Sequence, residues 1–138
     1  MSCIATATSL VVVVTYAELE ELALTLPETT STPSYGGAPA LRVNKKMFAR
    51  LRGEMADHID ELTGAPYGDV LMVGVADLGE KEALLAADGD AYFTIAHYDG
   101  YPAVLVRLDR ADLEELRELI LDAWRRAAPK RAVKALTE

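Results

Sequence analysis

The sequence predicts an α+β domain, a two-layer α/β sandwich of order α-β3-α-β2-α with a mostly antiparallel five-stranded sheet and helices on one face. Three observations predict it. Short apolar runs alternate with turn dipeptides, so consecutive strands are joined by links too short for parallel crossovers. Three segments carry apolar residues at helical spacing behind recognisable caps. Finally, three amphipathic helices can cover only one face of five strands.

The first helix begins at Thr15, where Thr15-x-x-Glu18 is a capping box and Leu19, Leu22, Ala23 and Leu26 form one apolar stripe that Pro27 ends. LPETTSTPSYGG then reads as a loop of Pro, Thr, Ser and Gly, leading to a strand around Pro39 to Val43. If Asn44-Lys45-Lys46 is a three-residue turn, Leu41, Val43, Met47, Ala49 and Leu51 share the core face. Arg42, Phe48, Arg50 and Arg52 then share the other.

Gly53 to Gly68 is acidic and closed by Gly64, Pro66 and Gly68, which predicts a surface insertion with at most one helical turn. Val70 to Val75 is a continuous apolar run, the pattern of a buried strand. Asp77-x-x-Glu80 caps a helix over Leu78 to Ala87. Phe93 to Val106 follows, two strand-like runs flanking Asp99-Gly100, the pattern of a tight hairpin. With Phe93, Ile95, Val104 and Val106 pointing inward, Tyr92, Thr94, Tyr98 and Arg107 join the uncovered face. The last helix spans about Ala111 to Ala127 with Leu113, Leu116, Ile120, Ala123, Trp124 and Ala127 as its stripe, and Pro129 stops it.

The domain organisation follows: 1–14 as an N-terminal extension, 15–130 as a single domain carrying 53–68 as the insertion, and 131–138 as a basic C-terminal tail. The stretch from Ser2 to Ala17, which contains the extension, carries no charge. It is too short for a membrane span and has no basic region like that of a signal peptide. Its valine run could serve as an extra edge strand or pair with a second copy, so the chain reads as a monomer or weak homodimer. One cysteine, Cys3, allows neither an internal disulfide nor a cysteine metal site, and a cytoplasmic setting fits.

The formal net charge is −8, which alone argues against nucleic acid or an anionic membrane as partner. Its distribution says more. Ten of the fourteen basic residues fall in two stretches, Arg42, Lys45, Lys46, Arg50 and Arg52, and Arg125, Arg126, Lys130, Arg131 and Lys134. From Glu54 to Asp99 the only lysine or arginine among many acids is Lys81. Arginines interleaved with aromatics on an open sheet face make a surface for anions or nucleic acid.

Several pieces carry a family likeness. They are Leu26-Pro27-Glu28-Thr29-Thr30 with Ser34-Tyr35-Gly36, Lys46-Met47-Phe48-Ala49 and Glu82-Ala83-Leu84-Leu85-Ala86. Phe93-Thr94 with His97-Tyr98-x-Gly100-Tyr101-Pro102, and Ala123-Trp124 with Ala128-Pro129-Lys130, complete the set. Over about Ala17 to Lys130 the chain resembles the MmcQ/YjbR family of small bacterial proteins. The resemblance implies a secretion-chaperone-like α-β3-α-β2-α fold and DNA binding. The 53–68 segment is longer than the family's usual connection, and the first fourteen residues have no counterpart in it.

Candidate chemistry is sparse. His97 reads either as a hydrogen-bonded histidine at the core's edge or as part of a small ligand pocket with Tyr35 and Tyr98; no nucleophile is evident for it to activate. His58 among Asp57, Asp60 and Glu61 reads as a solvated acidic loop rather than a metal site. No cofactor motif is present, and Tyr35-Gly36-Gly37 is too short to cradle a phosphate. The first functional expectation is a non-enzymatic DNA-binding module. Its basic hairpin (Arg42, Lys45, Lys46, Arg50, Arg52) would act as a wing, and Arg125, Arg126, Lys130, Arg131 and Lys134 as a clamp. The second is a domain that binds a small anionic ligand or a protein through Tyr35, Phe48, His97, Tyr98 and Tyr101.

Overall fold

A computed structural model describes residues 14–33, 37–59, 63–87 and 89–137, with the side chains of 53–58 and 137 left out of the description. Among them, helix α1 (Tyr16–Leu24) is followed by β1 (Thr29–Pro33), β2 (Pro39–Val43), β3 (Lys46–Ile59) and β4 (Pro66–Gly74). Then come α2 (Leu78–Ala87), β5 (Tyr92–Phe93), a 3-10 turn (Ala96–Tyr98), β6 (Ala103–Arg107), α3 (Leu113–Ala127) and α4 (Lys130–Thr137). The sheet order is β1-β2-β3-β4-β6-β5, and every pairing is antiparallel. The expected α+β class holds, with six strands instead of five.

The extra strand is β1, which lies in the expected loop. Threonines suit an extended backbone, and an edge position tolerates Pro33 at the strand's end. Long-range bonds hold it there. Trp124 Nε1 donates to Thr29 Oγ1 at 2.8 Å, and Ser31 Oγ donates to Glu20 Oε2 at 2.6 Å. Helix α1 has the expected capping box: Thr15 Oγ1 accepts from the Glu18 N–H, and Glu18 Oε1 accepts from the Thr15 N–H.

The β2–β3 turn corrects the expected register. It has two residues, Asn44 and Lys45, with φ of 48° and 71°, the left-handed pair that a tight hairpin requires. Val43 therefore pairs with Lys46 and Arg42 with Met47. One extra residue on β3 then restores Leu41 opposite Ala49. That residue is Phe48, expected on the open face but buried in the core, while Met47, expected in the core, is exposed.

The 53–68 segment, expected to hold at most one helical turn, is largely strand among its described residues. Strand β3 continues to Ile59 and β4 starts at Pro66, paired through several register shifts with Gly53 opposite Val70 and Ile59 opposite Pro66. The expected tight Phe93–Val106 hairpin is looser: β5 and β6 pair only at Tyr92↔Val106 and Phe93↔Leu105, and the 3-10 turn fills the gap. Tyr92 therefore faces the helices and Phe93 the other side, the reverse of the expected facing. The expected C-terminal tail is helical from Lys130. Ala132 is buried, and Val133 and Leu136 pack on the core.

The main core lies between the helices and one sheet face, with Leu19, Ile120 and Trp124 fully buried against Leu41, Leu71 and Val106. The other face is not bare. Val70, Met72, Ala103 and Leu105 form a second apolar cluster covered by Tyr98, with Ile95 and Phe93 packed beside it. The segment from Thr94 to Tyr101 is its cover.

Candidate functional site

Where that cover meets β3, the outer face holds a recess of about 220 Å3 lined by Met47, Arg50, Met72, His97, Tyr98 and Tyr101. Residues 47 and 50 are an odd number apart and would point to opposite faces of a regular strand. The bulge at Phe48 absorbs one residue, so both line the recess. Met72 comes from β4, and the three remaining side chains come from the 3-10 turn and the residues after it.

The roof is fixed from several directions. Tyr98 is buried, with the His97 ring at 4.9 Å in a T-shaped contact and the Tyr101 ring at 6.2 Å. Arg52 Nη1 donates to Tyr98 Oη at 3.1 Å, and its guanidinium lies 5.5 Å from the Tyr98 ring centroid. From the opposite side Lys81, only 5% exposed, donates through Nζ to the carbonyl oxygens of Tyr98 at 2.6 Å and Tyr101 at 2.9 Å. Helix α2 brings Lys81 there, and Asp77 Oδ1 caps that helix by accepting from the Glu80 N–H at 2.8 Å.

The structure therefore joins members of both expected sets. Arg50 from the basic hairpin meets His97, Tyr98 and Tyr101 from the ligand set. Phe48 leaves that set for the core. Tyr35 lies outside the described residues, as do the His58 and Asp57 side chains, Asp60 and Glu61. Arg52 holds the roof, and Arg42 bonds Thr32 Oγ1 at 3.0 Å between β1 and β2. Met47, Met72 and Lys81 were not among the expected site residues; Lys81 alone had a signal, as the single base in a long acidic run.

The ten basic residues do not form one patch. Lys45 and Lys46 are exposed at the β2–β3 turn. Arg126 donates to the Gly74 carbonyl at 3.0 Å and shares a shallow groove of about 420 Å3 with Lys46, floored by Phe48, Val75 and Ala123. Arg125, one residue earlier, pairs with Asp122 at 3.4 Å. Arg131 grips Glu28 through two bonds, at 2.8 and 3.1 Å. Lys130 and Lys134 are exposed on α4. Among the described residues no cluster of three or more His, Cys, Asp or Glu side chains could hold a metal ion, and no helix is long and apolar enough to cross a membrane.

The chain is similar to uncharacterized proteins of Mycobacterium bovis and Mycobacterium tuberculosis, 45% identical over 98 residues covering 68% of this chain and 76% of theirs. Its fold matches a crystal structure of a protein from Pseudomonas syringae with a TM-score of 0.66 at 18% identity, covering 82% of this chain and 98% of that one. The family model described as YjbR matches residues 24–126, a span running from the end of α1 to the last turn of α3 and including the whole sheet and the recess, and the chain belongs to the YjbR family.

Proposed function

We propose that this protein is a non-enzymatic binding module that holds a small anionic ligand in the recess on the outer sheet face. The observation that carries the reading is the convergence of Arg50, His97 and Tyr101 over a floor of Met47 and Met72. A guanidinium supplies charge and directed donors for a carboxylate or phosphate. The thioethers and the Tyr98 ring receive an apolar body. At about 220 Å3 the recess is smaller than the roughly 300–1,000 Å3 of sites for drug-sized molecules, so the ligand is on the scale of phosphate or benzoate. Among the described residues no serine, threonine, cysteine or carboxylate lines the recess beside His97, which favours binding over catalysis as the reading.

The test is a titration of the 15N-labelled protein with inorganic phosphate and, separately, benzoate at constant ionic strength. Saturable shifts at Met47, Arg50, Met72 and the 97–101 amides are expected, and Arg50→Ala should abolish them. Shifts absent from these residues, or unchanged in Arg50→Ala, overturn the reading.

A second reading, DNA binding, is favoured by Lys45 and Lys46 at an exposed tip beside the Arg126 groove. Pairing of Arg125 with Asp122 and of Arg131 with Glu28, and the net charge of −8, weigh against the expected C-terminal clamp. Anisotropy of labelled duplex and single-stranded DNA at low and near-physiological salt decides it. Binding that falls steeply with salt and is lost in the Lys45→Glu, Lys46→Glu double variant supports DNA; no binding at low salt removes it.

A further inference from the structure

Lysine is almost never fully buried without a counter-charge. Lys81 is 95% shielded, and among the described residues its ammonium meets backbone carbonyls but no carboxylate. Both carbonyls belong to the recess roof. The Tyr98 carbonyl also accepts from the Tyr101 N–H at 3.0 Å, and the Tyr101 carbonyl from the Ala103 N–H at 2.8 Å. The ammonium thus ties two successive turns of the roof to helix α2. Carbonyl dipoles solvate a cation but leave its net charge in place, and in a partly desolvated site that charge is felt at short range.

We infer that Lys81 is the positioning residue of the recess. It fixes Tyr98 and Tyr101 through its two carbonyl bonds, and it places behind them a positive charge that an anion beside Arg50 balances. The inference rests on the ligand-binding reading for its second half, while the clamp itself can be tested without any ligand. Other links to the roof are Arg52 to Tyr98 Oη and the Val75 N–H to the Pro102 carbonyl at 2.9 Å. Neither reaches the carbonyls that Lys81 holds.

The experiment compares wild type with Lys81→Met, which keeps the length and apolar stem, and Lys81→Arg, which keeps charge and donors. Hydrogen exchange reads the amides of Tyr98, Asp99 and Tyr101, all bonded within the roof, against the β4–β6 ladder amides, which report the fold. In Lys81→Met the roof amides should exchange faster by on the order of tenfold or more, from loss of charged hydrogen bonds, with the ladder unchanged. Lys81→Gln is the substitute if Lys81→Met does not fold. Phosphate titration followed at Arg50 and His97 should weaken on the order of tenfold in Lys81→Met and recover in Lys81→Arg. Roof protection unchanged in the neutral variants overturns the clamp. A loosened roof with phosphate affinity unchanged overturns the electrostatic half. Wild type that binds no phosphate at the recess overturns the ligand reading and the electrostatic half with it, and the amide exchange still decides the clamp.

Discussion

The bulge at Phe48 makes a stability prediction that adjacent residues must answer in opposite ways. Phe48 is 3% exposed within the main core, whereas Met47 is 36% exposed at the recess. Truncating a buried phenylalanine to alanine costs about 3–5 kcal/mol, the lost burial plus the cavity left behind. Truncating a side chain at an exposed position usually stays within about 0.5 kcal/mol. Phe48→Ala should therefore lower the unfolding temperature by on the order of 10 °C, while Met47→Ala moves it little.

Urea unfolding followed by circular dichroism measures both, with equal slopes showing that only stability has changed. The three-residue turn that alternation favours predicts the reverse order, because it places Met47 in the core and Phe48 outside. Met47→Ala costing as much as Phe48→Ala would refute the bulge. Arg50 and Met47 could then no longer share the recess, and the proposed ligand site would fall with it.

Two further predictions test other parts of the fold. Lys45 holds φ of 71° in the two-residue turn, so Lys45→Gly should stabilise by roughly 1 kcal/mol; a loss of stability in urea would argue against that turn. The Tyr16 hydroxyl is pushed above its ordinary 10.0, chiefly by burial, with the charge of Glu20 adding to the rise and the Ser31 hydroxyl opposing it. The native state keeps that proton longer than the unfolded chain does. Its contribution is therefore complete below pH 10.0 and is lost as pH rises beyond that towards the native value. Tyr16→Phe should flatten the fall in urea midpoint between pH 9 and pH 11, and an identical fall in both proteins counts against it.

Elements whose signals are local were legible in the sequence. Helix α2 spans Leu78–Ala87 as its cap and length imply, and the Thr15 capping box and the α3 stripe from Leu113 to Ala127 are where the spacing puts them. Elements decided by distant partners were not. Thr29–Pro33 has no apolar alternation, and its strand exists because β2 offers an edge and Trp124 a hydrogen bond. In α4 the charges of Lys130, Arg131 and Lys134 mask a short stripe of Ala132, Val133 and Leu136, which reads as helix only once a core is there to receive it. Alternation assumes strict period two, so one bulged residue exchanges the faces of Met47 and Phe48 while leaving Leu41 and Ala49 correctly paired. His97, Tyr98, Tyr101 and Arg50 each stood out in the sequence. Their meeting did not, because it needs both the bulge and the folded-back roof.

The location of the recess has a packing reason. With the helices on one face, Val70, Met72 and Leu105 on the other would form a bare apolar patch, a kind of surface that folded domains cover or use. The Thr94–Tyr101 segment covers them, but Ala96–Tyr98 makes only one short turn and stops short of β3. The gap therefore opens where the apolar cluster gives way to the arginines of β3, and its lining is thioether and aromatic apart from the guanidinium of Arg50. The cover is held by two cations, Arg52 and Lys81, that bond a hydroxyl and two carbonyls; among the described residues neither pairs with a carboxylate. Had carboxylates held the same segment, the charges would cancel. As built, the means of closing the apolar patch places two cations around the gap, the feature on which the proposed anion site draws.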